Sequence, residues 1–536
     1  MVRIRSCFLT VAAGLMCLGS GAGQPQKFYP DDPIQADPRP VPVGDIKKVC
    51  IYATFDYLYQ GGRQGQRAPL PAKGINTLGE VPDNSWFTNR HGRTRMTRDE
   101  LRRGAGNENV PRPPFVVVGA KTEGITPGFR MKDAKGRIYF AKVDPTTNPE
   151  LSTGAEVVGS KFFHAIGYNT PENYIVKIDK SDLTIDKAAT IAGANRISRS
   201  LVPKDLFDIL ANVPRLPDGS FRAIASLAIP GKNLGPFRYE GTRSDDPNDL
   251  VPHEDRRELR GLSVFCAWLN HTDAKAANSY NALVQLDGVP FVRHYLIDFS
   301  SAFGSDGDGP KDARFGNEYQ IPTAGRAFKS LLGLGLYSPG WERADYSKLE
   351  AVGRIESTVF DPERWKPNYP NPAFLSRQPD DEYWAAKIVL AFTDEDIRTL
   401  VETGEYSNPL VVDYLVTALA QRRDKIGRAY FSKVLPLDSF RVRNGELLFE
   451  DLAVQYKFRP PLEYRISWST FDNDSGTLTP LPGEISFHLP SRFSSLAEGD
   501  YIAARIDALT AGRKAVTVYL RKKGPAAEVV GIERGW

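Results

Sequence analysis

Apolar and polar positions divide the chain into stretches of distinct texture. From residue 24 to about residue 113 the apolar pieces are short, as in "VCIYATFDYLY", and sit among Pro, Gly and charged residues. That texture predicts an irregular N-terminal arm packed on something else. From Pro114 onward, "PFVVVGAKTEG", "GFRMKD" and "GRIYFAKVD" read as strands joined by Gly-containing turns. Apolar residues at 155, 158, 162 and 166 then give "TGAEVVGSKFFHAIGY" a helical spacing, and "NYIVKID" and "SFRAIASLAI" read as two more strands. After "PGKNLGP" the pattern turns helical. Leu259, Leu262, Cys266 and Leu269 form a stripe of period 3.6, Asp287-Gly288 marks a hairpin, and "DEYWAAKIVLAF", "DEDIRTLVETG" and "NPLVVDYLVTALAQRRDKIGRAYF" predict further helices. Beyond about Val434 the texture is all strand, with "LLFEDLAVQYKF", "EYRISWSTF", "EISFHLP", "DYIAARIDAL", "AVTVYLRK" and "AEVVGIERG" as candidates. These strands predict a small β-sandwich, and the chain as a whole an α+β protein.

Composition narrows this picture. A length of 536 residues exceeds one compact domain, and 41% hydrophobic with 25% charged residues is ordinary for a globular protein. The net charge of +4 is not gathered in one block, so a nucleic-acid partner is not expected. "MVRIRSCFLTVAAGLMCLGSGAG" places Arg3 and Arg5 before an apolar run and ends in small residues, the pattern of a cleavable secretory signal over residues 1–23. Export to a periplasm or beyond is therefore expected, with no stable membrane span. Met16 before Cys17 argues against a lipoprotein. Cys50 and Cys266 remain after the signal; they are open to pairing, although Cys266 in its apolar helix reads more simply as a buried thiol.

Candidate chemistry concentrates in three places. Strand alternation puts Lys142 on the face of Ile138 and Phe140, an unusual setting for a charge that lacks a ligand or an ion-pair partner, unless the side chain snorkels at an edge. "HTDAKAAN" closes the helix "DRRELRGLSVFCAWL" with His271, Asp273, Lys275 and Asn278, either as a turn rich in Asx residues or as a site. Asp298-Phe299-Ser300 ends the strand "HYLID". The six histidines are scattered with no HExxH and no cysteine pair at zinc spacing. Asp306 and Asp308 lie among glycines but lack the closing Glu of a calcium loop.

His271-Thr-Asp273-Ala-Lys275-Ala-Ala-Asn278 resembles the protein-kinase catalytic loop HRDxKxxN, and Asp298-Phe299-Ser300 resembles the metal-binding DFG. The resemblance covers about residues 114 to 431, and its style is closest to the atypical secreted, spore-coat and toxin-type kinases. It implies a bilobed kinase-like domain, with an N-lobe over 114–230 and a helical C-lobe over 231–433. The arm over 24–113 precedes it and the β-sandwich over 434–536 follows. It further implies a phosphotransferase that uses ATP or another nucleotide triphosphate with Mg2+ or Mn2+, and whose acceptor is a hydroxyl on a protein or small molecule.

On that resemblance Asp273 orients or deprotonates the acceptor and Lys275 offsets charge on the γ-phosphate. Asn278 and Asp298 hold the metal, Lys142 grips the α- and β-phosphates, and His271 ties the loop to backbone near the DF-motif. Glu156 is the helix glutamate that positions Lys142; equally, Thr153-Gly-Ala-Glu156 reads as a capping box, with Glu150 in reserve. Nucleotidyl (AMP) transfer on the same fold, or a non-catalytic kinase-like binding protein, are the alternative functions. The chain departs from the family pattern in places. Gly119, Gly124 and Gly128 are too widely spaced for GxGxxG, Thr272 stands in place of arginine, Ser300 in place of glycine, and Phe140 in place of a small residue.

Overall fold

A computed structural model describes residues 26–50, 70–106, 108–120, 128–192, 198–211, 213–320, 339–509 and 514–536. The expected signal, most of "VCIYATFDYLY" and Gly124 lie outside the described residues. The chain is a mixed α+β protein built on several sheets. Within the stretch expected to be irregular, helix α1 (Arg98–Arg103) forms behind a capping box of Thr97 and Glu100. Around it, Val81, Trp86, Phe87 and Leu101 are buried in the largest core cluster.

A seven-stranded sheet follows, in the order β4-β7-β3-β2-β1-β5-β6. Its strands are β1 (Phe115–Ala120), β2 (Gly128–Lys132), β3 (Ile138–Val143), β4 (Asn173–Ile178), β5 (Leu183–Ala192), β6 (Ser198–Ser200) and β7 (Phe221–Leu227). All neighbours are antiparallel except β1 with β5. One face carries Phe115, Val117, Phe129, Met131, Tyr139 and Ala141, in one core with Leu206 and Leu210 of α3 (Pro203–Ala211). On the other face lies α2 (Leu151–Ile166), which is buried almost all round. Sequence periodicity did not anticipate β5, β6 or α3. The short polar strand β6 is exposed throughout and has no apolar alternation to read.

A smaller antiparallel sheet, in the order β10-β9-β8, contains β8 (Lys232–Asn233), β9 (Ser279–Leu286) and β10 (Val289–Leu296). Asp287 and Gly288, at φ of 50° and 80°, make the tight turn between β9 and β10. Helix α4 (Arg257–Trp268) runs into the loop before β9, and every one of its residues is buried. It packs on α5 (Pro372–Leu375), α6 (Pro379–Leu390) and α8 (Pro409–Phe431), while α7 (Asp394–Glu402) packs on α8. The buried Arg422 of α8 donates to the carbonyls of Trp268 at 2.9 Å and Glu356 at 2.7 Å, which anchors the C-terminal end of α4 where its orphan carbonyls need donors.

The C-terminal part holds a hairpin of β11 (Leu437–Arg443) and β12 (Glu446–Asp451), then α9 (Leu452–Gln455), and a five-stranded antiparallel sheet in the order β14-β13-β15-β16-β17. The sheet strands are β13 (Tyr464–Asp472), β14 (Thr477–Pro480), β15 (Tyr501–Ala508), β16 (Ala515–Lys523) and β17 (Ala526–Arg534). Ile466, Trp468, Ile502, Ile506 and Val518 share a core with Leu437 and Leu447 of the hairpin. On the opposite face Phe28 seats among Phe471, Tyr501 and Tyr519.

Two expected strands differ from what forms. "LLFEDLAVQYKF" breaks at Asp451, whose carboxylate caps α9 by accepting from the backbone N–H of Ala453 and Val454. "EISFHLP" makes no ladder of its own. It crosses the hairpin and spends its backbone on single bonds, from Leu447 N to Phe487 O at 2.8 Å and from Leu489 N to Gly445 O at 2.7 Å. Cys50 is exposed, Cys266 is buried and both are free thiols. No helix among the described residues is long and apolar enough to cross a membrane.

Candidate functional site

Pleating sends Tyr139 and Ala141 of β3 into the α3 side of the sheet and Ile138, Phe140 and Lys142 to the α2 side. There Ile138 and Phe140 are exposed while Lys142 is 8% exposed, tucked against α2. Its Nζ donates to Glu156 Oε2 and to Asp298 Oδ1, each at 2.7 Å. Burial disfavours the ammonium, but the carboxylates of Asp298 and Glu156 outweigh it and hold the Lys142 pKa above the ordinary lysine value.

Glu156 occupies the interior of α2, not its cap. The helix begins at Leu151, and the carboxylate of Asp144 takes both the Thr153 N–H at 2.8 Å and the Thr153 hydroxyl at 2.7 Å. Glu156 Oε1 accepts from Phe299 N, and Oε2 from Ser300 N, both at 3.1 Å. This carboxylate thus joins α2, β3 and the segment after β10. Gly159, one turn on, permits the approach: a Cβ there would lie 3.0 Å from Phe299 Cβ and 3.1 Å from Ala302 Cβ. Glu150 turns away, accepting from Ser407 N at 2.9 Å.

The loop after α4 is folded on itself and onto two distant segments. Asn270 adopts a left-handed conformation with φ of 46° and accepts at Oδ1 from Trp365 Nε1 at 2.9 Å. Contrary to the role expected for it, the His271 side chain makes no hydrogen bond to backbone among the described residues. Its Nδ1 is buried with no hydrogen-bond partner and its ring packs near Phe163 and Phe299, while burial pushes its pKa down to about 4. The backbone tie is made instead by Phe303 N, which donates to Leu269 O at 2.7 Å.

The Asp273 carboxylate is held from three sides. Lys275 Nζ at 2.9 Å and Asn368 Nδ2 at 3.1 Å meet Oδ1, and Asn278 Nδ2 meets Oδ2 at 2.9 Å. Burial lowers and Asp273 raises the Lys275 pKa, with a net rise. Asn278 is set beside the DF-segment by the hairpin: its carbonyl accepts from Ile297 N at 3.1 Å, just beyond the last β9–β10 pair. Asp298 follows at once, with φ of 65°, and its carboxylate also accepts from Ser300 Oγ at 2.7 Å.

The chain matches no family model and no curated protein.

The geometry brings the sequence-selected residues into two connected groups, Lys142–Glu156–Asp298 and Asp273–Lys275–Asn278. It also adds residues that the sequence did not mark. Asn368 braces Asp273 and Lys311 Nζ donates to Thr272 Oγ1 at 2.9 Å, while Ser300, already noted as standing in place of glycine, braces Asp298. Asn368 and Lys311 come from segments 95 and 39 residues away from their partners, with no motif to flag them. Chemically, Asp273 is an acceptor with a partly open side chain, 17% exposed, beside fixed cations. Lys142 has three N–H donors and spends two of them on carboxylates, which leaves one for an incoming anion.

Proposed function

We propose that the chain is an exported phosphotransferase with a bilobed, protein-kinase-like domain, preceded by the arm and followed by the β-sandwich unit. It moves a phosphoryl group from a nucleotide triphosphate to a hydroxyl. The observation that carries this reading is Lys142 bridging Glu156 and Asp298, contributed by segments 14 and 156 residues apart, beside a loop that presents Asp273, Lys275 and Asn278. Phosphoryl transfer asks the protein mainly to position groups and to offset charge, and these residue types suit that task.

In this reading Lys142 takes phosphate oxygens, Asp273 accepts the proton of the acceptor hydroxyl, and Lys275 offsets charge that develops on the transferring group. Asn278 and Asp298 would hold Mg2+ or Mn2+. The donor set fits a hard cation, because the Asp298 side chain is 37% exposed and Asn278 commits its Nδ2 to Asp273, so that its amide oxygen is the atom left to offer. When bound, such an ion neutralises charge on the phosphate oxygens.

The test is incubation of the mature protein with Mg2+ or Mn2+ and with ATP labelled at either the γ- or the α-phosphate, followed by mass spectrometry of labelled species. Label from the γ-position, lost in Asp273→Asn, is the expected result. Label from the α-position identifies nucleotidyl transfer instead, and no label from any nucleotide overturns the reading.

A further inference from the structure

Lys311 is 5% exposed, yet none of the roles assigned above uses it. A buried ammonium is retained only where fixed partners replace water. Its Nζ donates to Thr272 Oγ1 at 2.9 Å, stands 3.9 Å from Asp306 Oδ2 and lies 5.4 Å from the centre of the Phe315 ring. Burial lowers its pKa; the charges of Asp273, Asp306 and Asp298 favour the ammonium and that of Lys275 opposes it. The backbone around Lys311 is equally committed. Lys311 N donates to Gly304 O at 2.9 Å, Asp306 N to Gly309 O at 2.8 Å, and Ser305 bridges Pro310. Lys311 is thus the end of a closed loop that begins at the DF-segment.

Its partner is equally placed. Thr272 is fully buried and directly precedes Asp273. Its carbonyl accepts from Asn368 N at 2.7 Å, the same residue whose side chain braces the Asp273 carboxylate. The hydroxyl of Thr272 therefore faces the 300–311 segment while its carbonyl faces Asn368. In the catalytic loop that the sequence resembles, the residue at this position is an arginine. Here the polarity is reversed: the loop offers a neutral acceptor, and the segment brings the cation.

We propose that Lys311 is a positioning residue for Asp273, stapling the 300–311 segment to the 271–278 loop through Thr272. Its consequence for rate rests on the phosphotransferase reading; the staple itself does not. Since misplacement of reacting groups by ~1 Å costs on the order of 100-fold in rate, loss of the staple should reach turnover while leaving the nucleotide contacts in place.

The experiment compares the full mature chain with Lys311→Ala, measuring label transfer from γ-labelled ATP with Mg2+ and amide hydrogen exchange. The expected result is a ~10–100-fold lower kcat with KM for ATP within about threefold. Ethylammonium should restore part of that activity and ethanol should not, and the amides of residues 271–273 and 304–311 should exchange faster. Transfer at the parent rate, equal rescue by ethanol, or unchanged exchange overturns the proposal. If Lys311→Ala does not fold, Lys311→Met, which fills similar volume but offers no donor toward Thr272, is read by the turnover and hydrogen-exchange criteria. If the parent itself transfers no label, the phosphotransferase reading falls, and hydrogen exchange alone decides the staple.

Discussion

Glu156→Gln is the sharpest test of how the site is held, because the substitution preserves size and removes one charge. Each oxygen of Glu156 accepts from two sides: Oε1 from Phe299 N at 3.1 Å and Asn173 Nδ2 at 3.4 Å, Oε2 from Ser300 N at 3.1 Å and Lys142 Nζ at 2.7 Å. Glutamine has only one acceptor oxygen. If that oxygen faces Lys142 and Ser300, the new NH2 group faces two donors, and Phe299 N–H loses its partner in a place where Glu156 is 1% exposed. A buried N–H left unpaired costs ~1–3 kcal/mol, and exchanging a charged acceptor for a neutral one opposite a buried ammonium costs a further ~1.5–3 kcal/mol. The sum, about 2.5–6 kcal/mol, brackets the ~3–5 kcal/mol found when one partner of a buried ion pair is removed. At ~2–4 °C per kcal/mol for a cooperative unit of this order, the melting temperature should fall by roughly 5–24 °C. Thermal unfolding followed by circular dichroism measures this, with Glu150→Gln as the control expected to stay within about 1 °C. A Glu156→Gln protein that melts within about 1 °C of its parent would refute the bridging role.

Nucleotide with Mg2+ should raise the melting point of the parent, since a ligand at 100 times its Kd adds about 2.7 kcal/mol, and Asp298→Ala should abolish that rise; an undiminished shift in the variant removes Asp298 from the metal site. His271 gives a pH dependence whose sign is fixed by its depressed pKa. With a folded pKa of about 4 against an ordinary 6.5, the unfolded chain binds the proton first, so stability is full above about 6.5 and is lost as pH falls toward 4. Between pH 7.5 and 5 this amounts to ~2 kcal/mol, so urea unfolding of the parent should lose about that much more than His271→Leu over the same interval; parallel losses would mean that His271 does not carry this proton.

What was legible in the sequence was local. A two-residue period is enough to place Lys142 with Ile138 and Phe140 on one face of β3, and a 3.6-residue period is enough to find α2 and α4. The polar loop "HTDAKAAN" and the Asp298 segment stand out because their residue types are unusual next to apolar elements. Glu156 shows where local reading stops. Thr153-Gly-Ala-Glu156 satisfies a capping pattern, and only the fold reveals that Asp144, nine residues earlier and across a turn, already serves Thr153. The braces are harder still. Asn368 and Lys311 reach the loop from segments whose own sequences look like ordinary turns, and their significance lies entirely in what they touch. There is a physical reason for this division. Asp273, Lys275, Asn278 and Asp298 flank one hairpin, where chain connectivity delivers them together, while Lys142 reaches Asp298 only through the fold. A carboxylate held to a fraction of an ångström needs donors from several directions, and one short segment cannot surround its own side chain. The support for Asp273 therefore has to come from remote sequence, and the residues that fix a site most firmly are the ones a motif cannot contain.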